Sequence, residues 1–195
     1  MRLKIATLGE TVLRQRTRPL TSAEILSAGI KQLIQHMRET MNDALGVGLA
    51  APQIGLPLQL AVIEDKPEYL EGISLQQLAE RERQPVPFQV IINPVLKVES
   101  APNVEFFEGC LSLPGYTAIV PRSRSVRIEC LDHNGTTRVI EATGWYARIL
   151  QHEIDHLRGM LYLDRMLSRS FCSVDNHTRY WKDKAIAEVR AELGL

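Results

Sequence analysis

The sequence predicts an α+β fold, and three observations carry that prediction. An amphipathic helical repeat lies near the start, strand-like segments fill the middle, and two further helical patterns come late. Strands in the middle with helices toward the N- and C-termini read as α+β. The 195 residues suffice for one domain with a sizeable core and are too few for two ordinary ones, so residues 1–195 are read as a single domain.

The first helix is predicted from Thr21 to Leu45. Thr21 and Glu24 have capping-box spacing, and Leu26, Ile30, Leu33, Met37 and Met41 recur at steps of three and four. Gly46 and Gly48 suit its C-cap and the turn beyond. Leu58 to Ile63 reads as a short buried strand. Glu64 to Pro87, rich in Glu, Arg and Gln, reads as a surface insertion with a helical turn or two. Strands are expected at Gln89–Ile92, Val95–Val98, Val104–Phe107 and Ser125–Leu131. Asp132-His133-Asn134-Gly135 is a hairpin turn, with Thr137–Glu141 returning. A second helix should run from Thr143 to Gly159, and a third from Asn176 to Leu193 with Trp181, Ala185 and Val189 on one face.

Composition narrows the function classes. Lys plus Arg and Asp plus Glu both number 23, so no whole-chain field attracts nucleic acid or an anionic membrane. No apolar run approaches the roughly 18 residues of a membrane span, and the first residues lack the apolar stretch of a signal peptide. Three cysteines, an odd number, argue against a disulfide framework. The expectation is a soluble monomer of a reducing compartment, with no membrane and no stable nucleic-acid partner.

The sharpest chemical signal is His152-Glu153-Ile154-Asp155-His156. On a helix, positions i and i+4 face the same way, so His152 and His156 can grip one metal ion with Glu153 beside it. A catalytic zinc-type site usually adds a third protein ligand and keeps one position open. Downstream options are poor: Tyr162 stands where a metzincin would place histidine, and no Glu occurs between Glu153 and Glu188. Upstream, Cys110 sits in Glu108-Gly109-Cys110-Leu111-Ser112-Leu113-Pro114-Gly115, where a thiolate next to glycine can approach a metal without crowding. The run from Gly46 to Gly55 begins like a dinucleotide fingerprint, but that pattern must follow a strand and open a helix. Here a helix precedes the run and Pro52 interrupts its second half, so the nucleotide reading is rejected. Small side chains, exposed backbone and one amide, Gln53, suit a peptide ligand instead.

Together and in this order, GVGLAAPQIG, EGCLSLPG and QHEIDHLRG resemble the three signature motifs of the peptide deformylase family, and the resemblance runs from ATLGETVLR near the start to LDRM after the last motif. The insertion before Phe88 and the run GWYARILQHEIDH resemble the subclass of mitochondria and some bacteria, whereas Leu111 after the cysteine is the more bacterial choice. The family implies an α+β fold, with antiparallel or mixed sheets around a central metal-binding helix and with N- and C-terminal helices, and removal of formyl from the N-terminal methionine of new proteins. Carried over by motif, Cys110, His152 and His156 hold the metal and Glu153 is the general base and acid for a metal-bound hydroxide that attacks the formyl carbon. Gln53 and the backbone N–H of Leu111 form the oxyanion hole, and Val47, Gly48, Gly115 and Ile149 shape the substrate cleft. The resemblance also gives Asp155 and Arg122 a part in orienting the ligands, and puts Thr117 where many bacterial members carry Arg. It implies Fe²⁺ in the cell with Zn²⁺, Ni²⁺ or Co²⁺ as substitutes, N-formylmethionyl nascent peptides as substrates, and the bacterial cytoplasm or an organellar matrix as location. Ribosome docking through Lys182, Lys184 and Arg190 competes with a plain solvated helix face.

Two other classes use the same residues. A metallopeptidase would act on unformylated peptides. A structural metal module would recruit a fourth protein ligand such as Cys130 or His133.

Overall fold

The computed structural model describes residues 1–98 and 101–195. Two antiparallel sheets flank one buried helix. The larger sheet has the order β1 (Gly48–Ala50), β2 (Leu60–Asp65), β3 (Val86–Val98), β6 (Ser125–Leu131) and β7 (Thr137–Thr143). The smaller has the order β4 (Val104–Cys110), β5 (Leu113–Arg122) and β8 (Cys172–Ser173). The expected α+β architecture with antiparallel sheets is therefore the one the chain adopts.

Over β2 and the middle of β3 both faces of the larger sheet are covered, so the chain there is buried without alternation, whereas β6 and β7 alternate and turn one face outward. Strand β2 is buried along its whole length. Leu60 and Val62 face Ile34, Met37 and Met41 of α2 (Ala28–Asp43). Ala61 and Ile63 face Ala147, Ile149, Leu150 and Ile154 of α4 (Gly144–Leu157). Helix α4 has the smaller sheet on its other side, so even Arg148, Gln151, Glu153, Asp155 and His156 are buried. The helix carrying the metal motif is thus the centre of the molecule.

Several boundaries differ from the sequence reading. The helix expected over Thr21–Leu45 is two, α1 (Ser22–Leu26) and α2, because Ser27 takes an extended conformation between them. Its hydroxyl donates to the Glu24 carbonyl at 2.6 Å and accepts the Ile30 N–H at 3.2 Å, so one serine ends a helix and starts the next. The apolar repeat continues across the break and conceals it. The last helix likewise divides into α5 (Val174–Tyr180) and α6 (Ile186–Leu193), with an extended Ala185 before α6.

The strands expected at Gln89–Ile92 and Val95–Val98 are one strand, β3, with an irregularity between them. Asn93 there has φ of 50°, and its amide exchanges hydrogen bonds with the Leu20 backbone at 2.9 and 2.8 Å. Three strands go beyond the sequence reading: β1, β5 and β8. In β5, Pro114 and Pro121 look like strand breakers. They are tolerated because β8 pairs only with Tyr116 and Thr117, so neither proline has to donate to a strand on that edge. The Glu64–Pro87 segment begins in β2 and ends in β3, and holds α3 (Leu75–Arg81). Gly144 joins β7 to α4 at φ of 57°, and a Cβ there would meet the Arg81 carbonyl at 2.8 Å, so the end of α3 packs directly on the start of the metal helix.

Candidate metal centre

The three expected ligands converge. Cys110 ends β4, while His152 and His156 lie one helical turn apart on α4. Cys110 Sγ is 3.4 Å from His156 Nε2, which is 3.2 Å from His152 Nε2. One ion held tetrahedrally at about 2.3 Å from sulfur and about 2.05 Å from nitrogen would separate its donors by roughly 3.6 Å and 3.3 Å. The donor spacing therefore fits a shared divalent ion. Cys110, His152 and His156 form a single group of three potential ligands among the described residues; neither Cys130 nor His133 joins it. Cys130 lies instead in the core beneath α4, where burial pushes its thiol pKa up.

Electrostatics support the same donor set. Burial would raise the Cys110 thiol, but the His156 and His152 imidazoles outweigh it and hold the group well below its ordinary value, so the thiolate is favoured. Burial would lower His152, yet Cys110 and Glu108 raise it. Glu108 Oε2 accepts from His152 Nδ1 at 2.9 Å, which leaves Nε2 facing the other donors.

Glu108 has no role in the sequence reading beyond its place in the cysteine motif; the structure makes it the hub behind the ligands. Arg122 donates to both its oxygens at 2.9 Å and also reaches Asp155, and Arg148 donates to it at 2.6 Å. Burial alone would raise the Glu108 carboxyl, but Arg122 and His152 hold it well below the carboxylate range. Arg122 thus touches the ligand His152 only by way of Glu108. Asp155 is paired with Arg122 and Arg165 rather than with a ligand ring. The sequence holds little signal for this: Glu108 lies two residues before Cys110 on β4, but the register shifts between them, so strand alternation alone does not put both on one face. Replacing Glu108 with Gln is expected to weaken metal affinity about 10–100-fold, measured by competition with a chromophoric chelator.

Glu153 occupies the cleft beside the triad. It is buried, its Oε2 has no hydrogen-bond partner among the described residues, and burial raises its pKa. A Cβ on Gly48 would collide with this carboxylate, so Gly48 makes room for Glu153 as well as lining the cleft. Gln53 Nε2 lies 3.5 Å from Cys110 Sγ and 3.3 Å from Ser112 Oγ, while its Oε1 accepts the Ala50 N–H at 2.8 Å. The backbone therefore fixes one end of the amide and aims the other toward the metal donors.

A cleft of about 410 Å³ opens over these groups. Val47, Gly48, Gln53, Cys110, Leu111, Gly115, Ile149, His152 and Glu153 all line it; His156 lies behind them. Sequence reasoning missed Phe107, Trp145, Tyr116 and Val174 in its wall. Phe107 and Trp145 look like core residues, Tyr116 lies on β5, which sequence patterning conceals, and Val174 opens α5 directly after β8. Thr117 is buried and donates to the Glu108 carbonyl at 2.8 Å, so its side chain supports the hub strand instead of facing substrate.

A His₂Cys donor set with an unpaired buried carboxylate, at the base of a peptide-sized cleft, is the arrangement of a mononuclear metal-dependent hydrolase. Comparison with known proteins narrows this class. Residues 2–171 match the sequence model of the polypeptide deformylase family. The chain is 44% identical over 172 residues to a chloroplastic peptide deformylase 1A of Solanum lycopersicum, covering 88% of this chain and 62% of that protein's length. It is 42% identical over 193 residues to peptide deformylase 3 of Streptomyces avermitilis, covering 99% of this chain and 84% of that one. The Met-Ala-Ser-bound crystal structure of a class I type b peptide deformylase from Acinetobacter baumannii superposes with a TM-score of 0.75 at 30% identity, over 85% of this chain and 99% of that one. The chain belongs to the polypeptide deformylase family. Metal-dependent deformylation is the function that goes with that membership, and the site matches it.

Proposed function

We propose that the chain removes formyl from the N-terminal formylmethionine of newly made polypeptides and releases formate, with Glu153 carrying the proton. The observation that carries this reading is the Glu153 carboxylate: buried, unpaired at Oε2, and set in the cleft beside three converging metal donors. Cys110, His152 and His156 would hold one divalent cation, Fe²⁺ in the cell with Zn²⁺, Ni²⁺ or Co²⁺ as substitutes. When bound, that cation supplies Lewis acidity that polarises the formyl oxygen and acidifies water.

The chain's own groups do the rest. Glu153 takes the proton of the attacking water; its raised pKa suits it both to accept that proton and to return it to the departing amine. The Gln53 amide and the Leu111 N–H donate to the oxyanion as it forms. Val47 and Ile149 offer an apolar wall to the methionine side chain, and Gly48 and Gly115 leave room for the peptide backbone. A formyl carbon bears only hydrogen beyond its oxygen and nitrogen. A tight site around the reacting carbon can therefore admit formyl and exclude the methyl of acetyl.

The reading further has the chain act as one domain over residues 1–195 and as a monomer, in a bacterial cytoplasm or an organellar matrix. Among the described residues, no helix is long and apolar enough to cross a membrane. Of the three basic residues considered for ribosome docking, Lys184 pairs with Glu192 and Arg190 with Glu105, which supports the solvated-face reading.

The test is hydrolysis of matched peptides bearing formyl, acetyl or free N-termini. Formyl should be removed and the other two left intact; cleavage of the unformylated peptide would indicate a metallopeptidase. Formyl-Met peptides should exceed formyl-Ala peptides by more than tenfold in kcat/KM, since each methylene lost from an apolar pocket costs about 1–3 kcal/mol. Gln53→Ala should lower kcat about 10²–10³-fold for both substrates alike, because the amide acts on the oxyanion and not on the side chain. A variant that loses only its methionine preference would place Gln53 elsewhere.

A further inference from the structure

The two groups proposed to receive the oxyanion, the Gln53 amide and the Leu111 N–H, sit on separate pieces of chain. Gln53 belongs to the short 3-10 turn Ala51–Ile54. Leu111 and Ser112 form the two-residue turn between Cys110 and Leu113, which pair across β4 and β5, so the Leu111 N–H lies outside the ladder. Direct links between the two pieces are long: Gln53 Nε2 stands 3.3 Å from Ser112 Oγ and 3.5 Å from Cys110 Sγ.

A third piece of chain, near the N-terminus, bonds to both. The Ala6 N–H donates to the Gln53 carbonyl at 2.7 Å, and the Leu8 N–H to the Ser112 carbonyl at 2.9 Å. Ala6 and Leu8 are two residues apart, a reach of at most about 7 Å, so the two acceptors cannot drift apart without breaking one of these bonds. Ala6, Gln53 and Ser112 are all buried, where a carbonyl stripped of its donor is costly.

This segment is itself anchored on either side. Before it, the Leu3 N–H donates to Thr40 Oγ1 of α2 at 2.9 Å. Within it, Ala6 packs against the buried Leu13 and Leu161, and the Thr7 N–H donates to Glu10 Oε1 at 2.9 Å. Beyond it, the Thr17 N–H and hydroxyl both donate to the carbonyl of Leu157, the last residue of α4, at 3.2 and 2.7 Å. The same stretch of chain therefore grips the Gln53 turn, the Leu111–Ser112 turn and the end of the metal helix, each by a main-chain carbonyl.

We propose, resting on the deformylase reading, that Ala6–Leu8 is a positioning strap whose two backbone N–H groups set the separation of the Gln53 amide and the Leu111 N–H. Donors stabilise an oxyanion most when they already stand at hydrogen-bond distance from where the charge develops and need not move as it forms. Neither Ala6 nor Leu8 lines the cleft, so their effect on the reaction passes through Gln53 and Ser112. The side chain of Leu8 has no part in it; the backbone N–H does.

The experiment deletes one N–H. Leucic acid in place of Leu8 turns its amide into an ester and keeps the side chain, Leu8→Pro removes the N–H by another route, and Leu8→Ala keeps it. The position tolerates such changes because the Leu8 side chain is 47% exposed. The ester and proline forms should lower kcat on formyl-Met-Ala-Ser about tenfold, short of the 10²–10³-fold of losing a donor outright, with KM and metal content changed less than about twofold. Leu8→Ala should behave as the wild type. Beside Gln53→Ala the ester should cost less than about twofold, because a single donor has no spacing to keep. Amide NMR gives a readout independent of turnover: the Leu111 backbone and Gln53 side-chain resonances should move in the ester form while those of α4 stay in place. Wild-type kcat in the ester form, an equal loss in Leu8→Ala, a full tenfold loss retained beside Gln53→Ala, or unmoved Leu111 and Gln53 resonances would overturn the strap. Absence of formate release from the wild type would instead sink the deformylase reading, while the resonances would still decide whether the strap holds the two donors.

Discussion

Glu153→Ala is expected to lower kcat by about 10²–10⁴-fold, the usual contribution of a positioned acid–base group, while about one metal ion per chain remains bound. The two halves of that result come from different atoms. Metal retention depends on Cys110, His152 and His156, whose donor atoms lie within 4.8 Å of one another without Glu153. Turnover depends on a carboxylate that has no hydrogen-bond partner at Oε2 among the described residues and is therefore available to water. The site is already built around it, because Gly48 leaves the space the carboxylate fills. Metal analysis and steady-state kinetics on one preparation check both halves, and loss of metal together with activity would move Glu153 into the coordination sphere.

Cys110→Ser is expected to lose most of its metal and with it most of its activity, whereas Cys130→Ser and Cys172→Ser keep both. A thiolate binds these ions far better than a serine hydroxyl, and Cys110 alone of the three has imidazole neighbours that favour the thiolate. Burial raises the thiol pKa of Cys130 and of Cys172, neither of which joins the histidine pair. Dialysis of the three variants against the same free-metal buffer, followed by metal and formate assays, separates them. Equal metal content in all three would mean that the third ligand lies elsewhere.

The site was more legible in the sequence than the fold's details were. His152 and His156 could be paired because helical spacing alone puts i and i+4 on one face. Cys110 could be singled out because the downstream options fail and a thiolate beside Gly109 can approach a metal, and the motif resemblance then made it the third ligand; nothing local says that β4 ends against α4. Glu108 and Arg122 illustrate what stays hidden. Each is an ordinary charged residue in a strand, and their joint role appears only when two strands and a helix meet. The fold class was readable from grouped strands between helices, but boundaries failed wherever one residue overrode a pattern. Ser27 breaks an apolar repeat through its hydroxyl, and Asn93 lets a strand continue across a proline-containing irregularity. Strand β5 was hidden by prolines that an edge tolerates, and with it went the Tyr116 side of the cleft.

The most direct test of the central claim is formate release from formyl-Met-Ala-Ser by one preparation assayed as purified, after chelation, and after reloading with a stoichiometric divalent ion. The account predicts formate from the loaded protein, none after chelation, and recovery at about one ion per chain. Formate release undiminished by complete metal removal, or none from a protein shown to carry one ion on Cys110, His152 and His156, would contradict it.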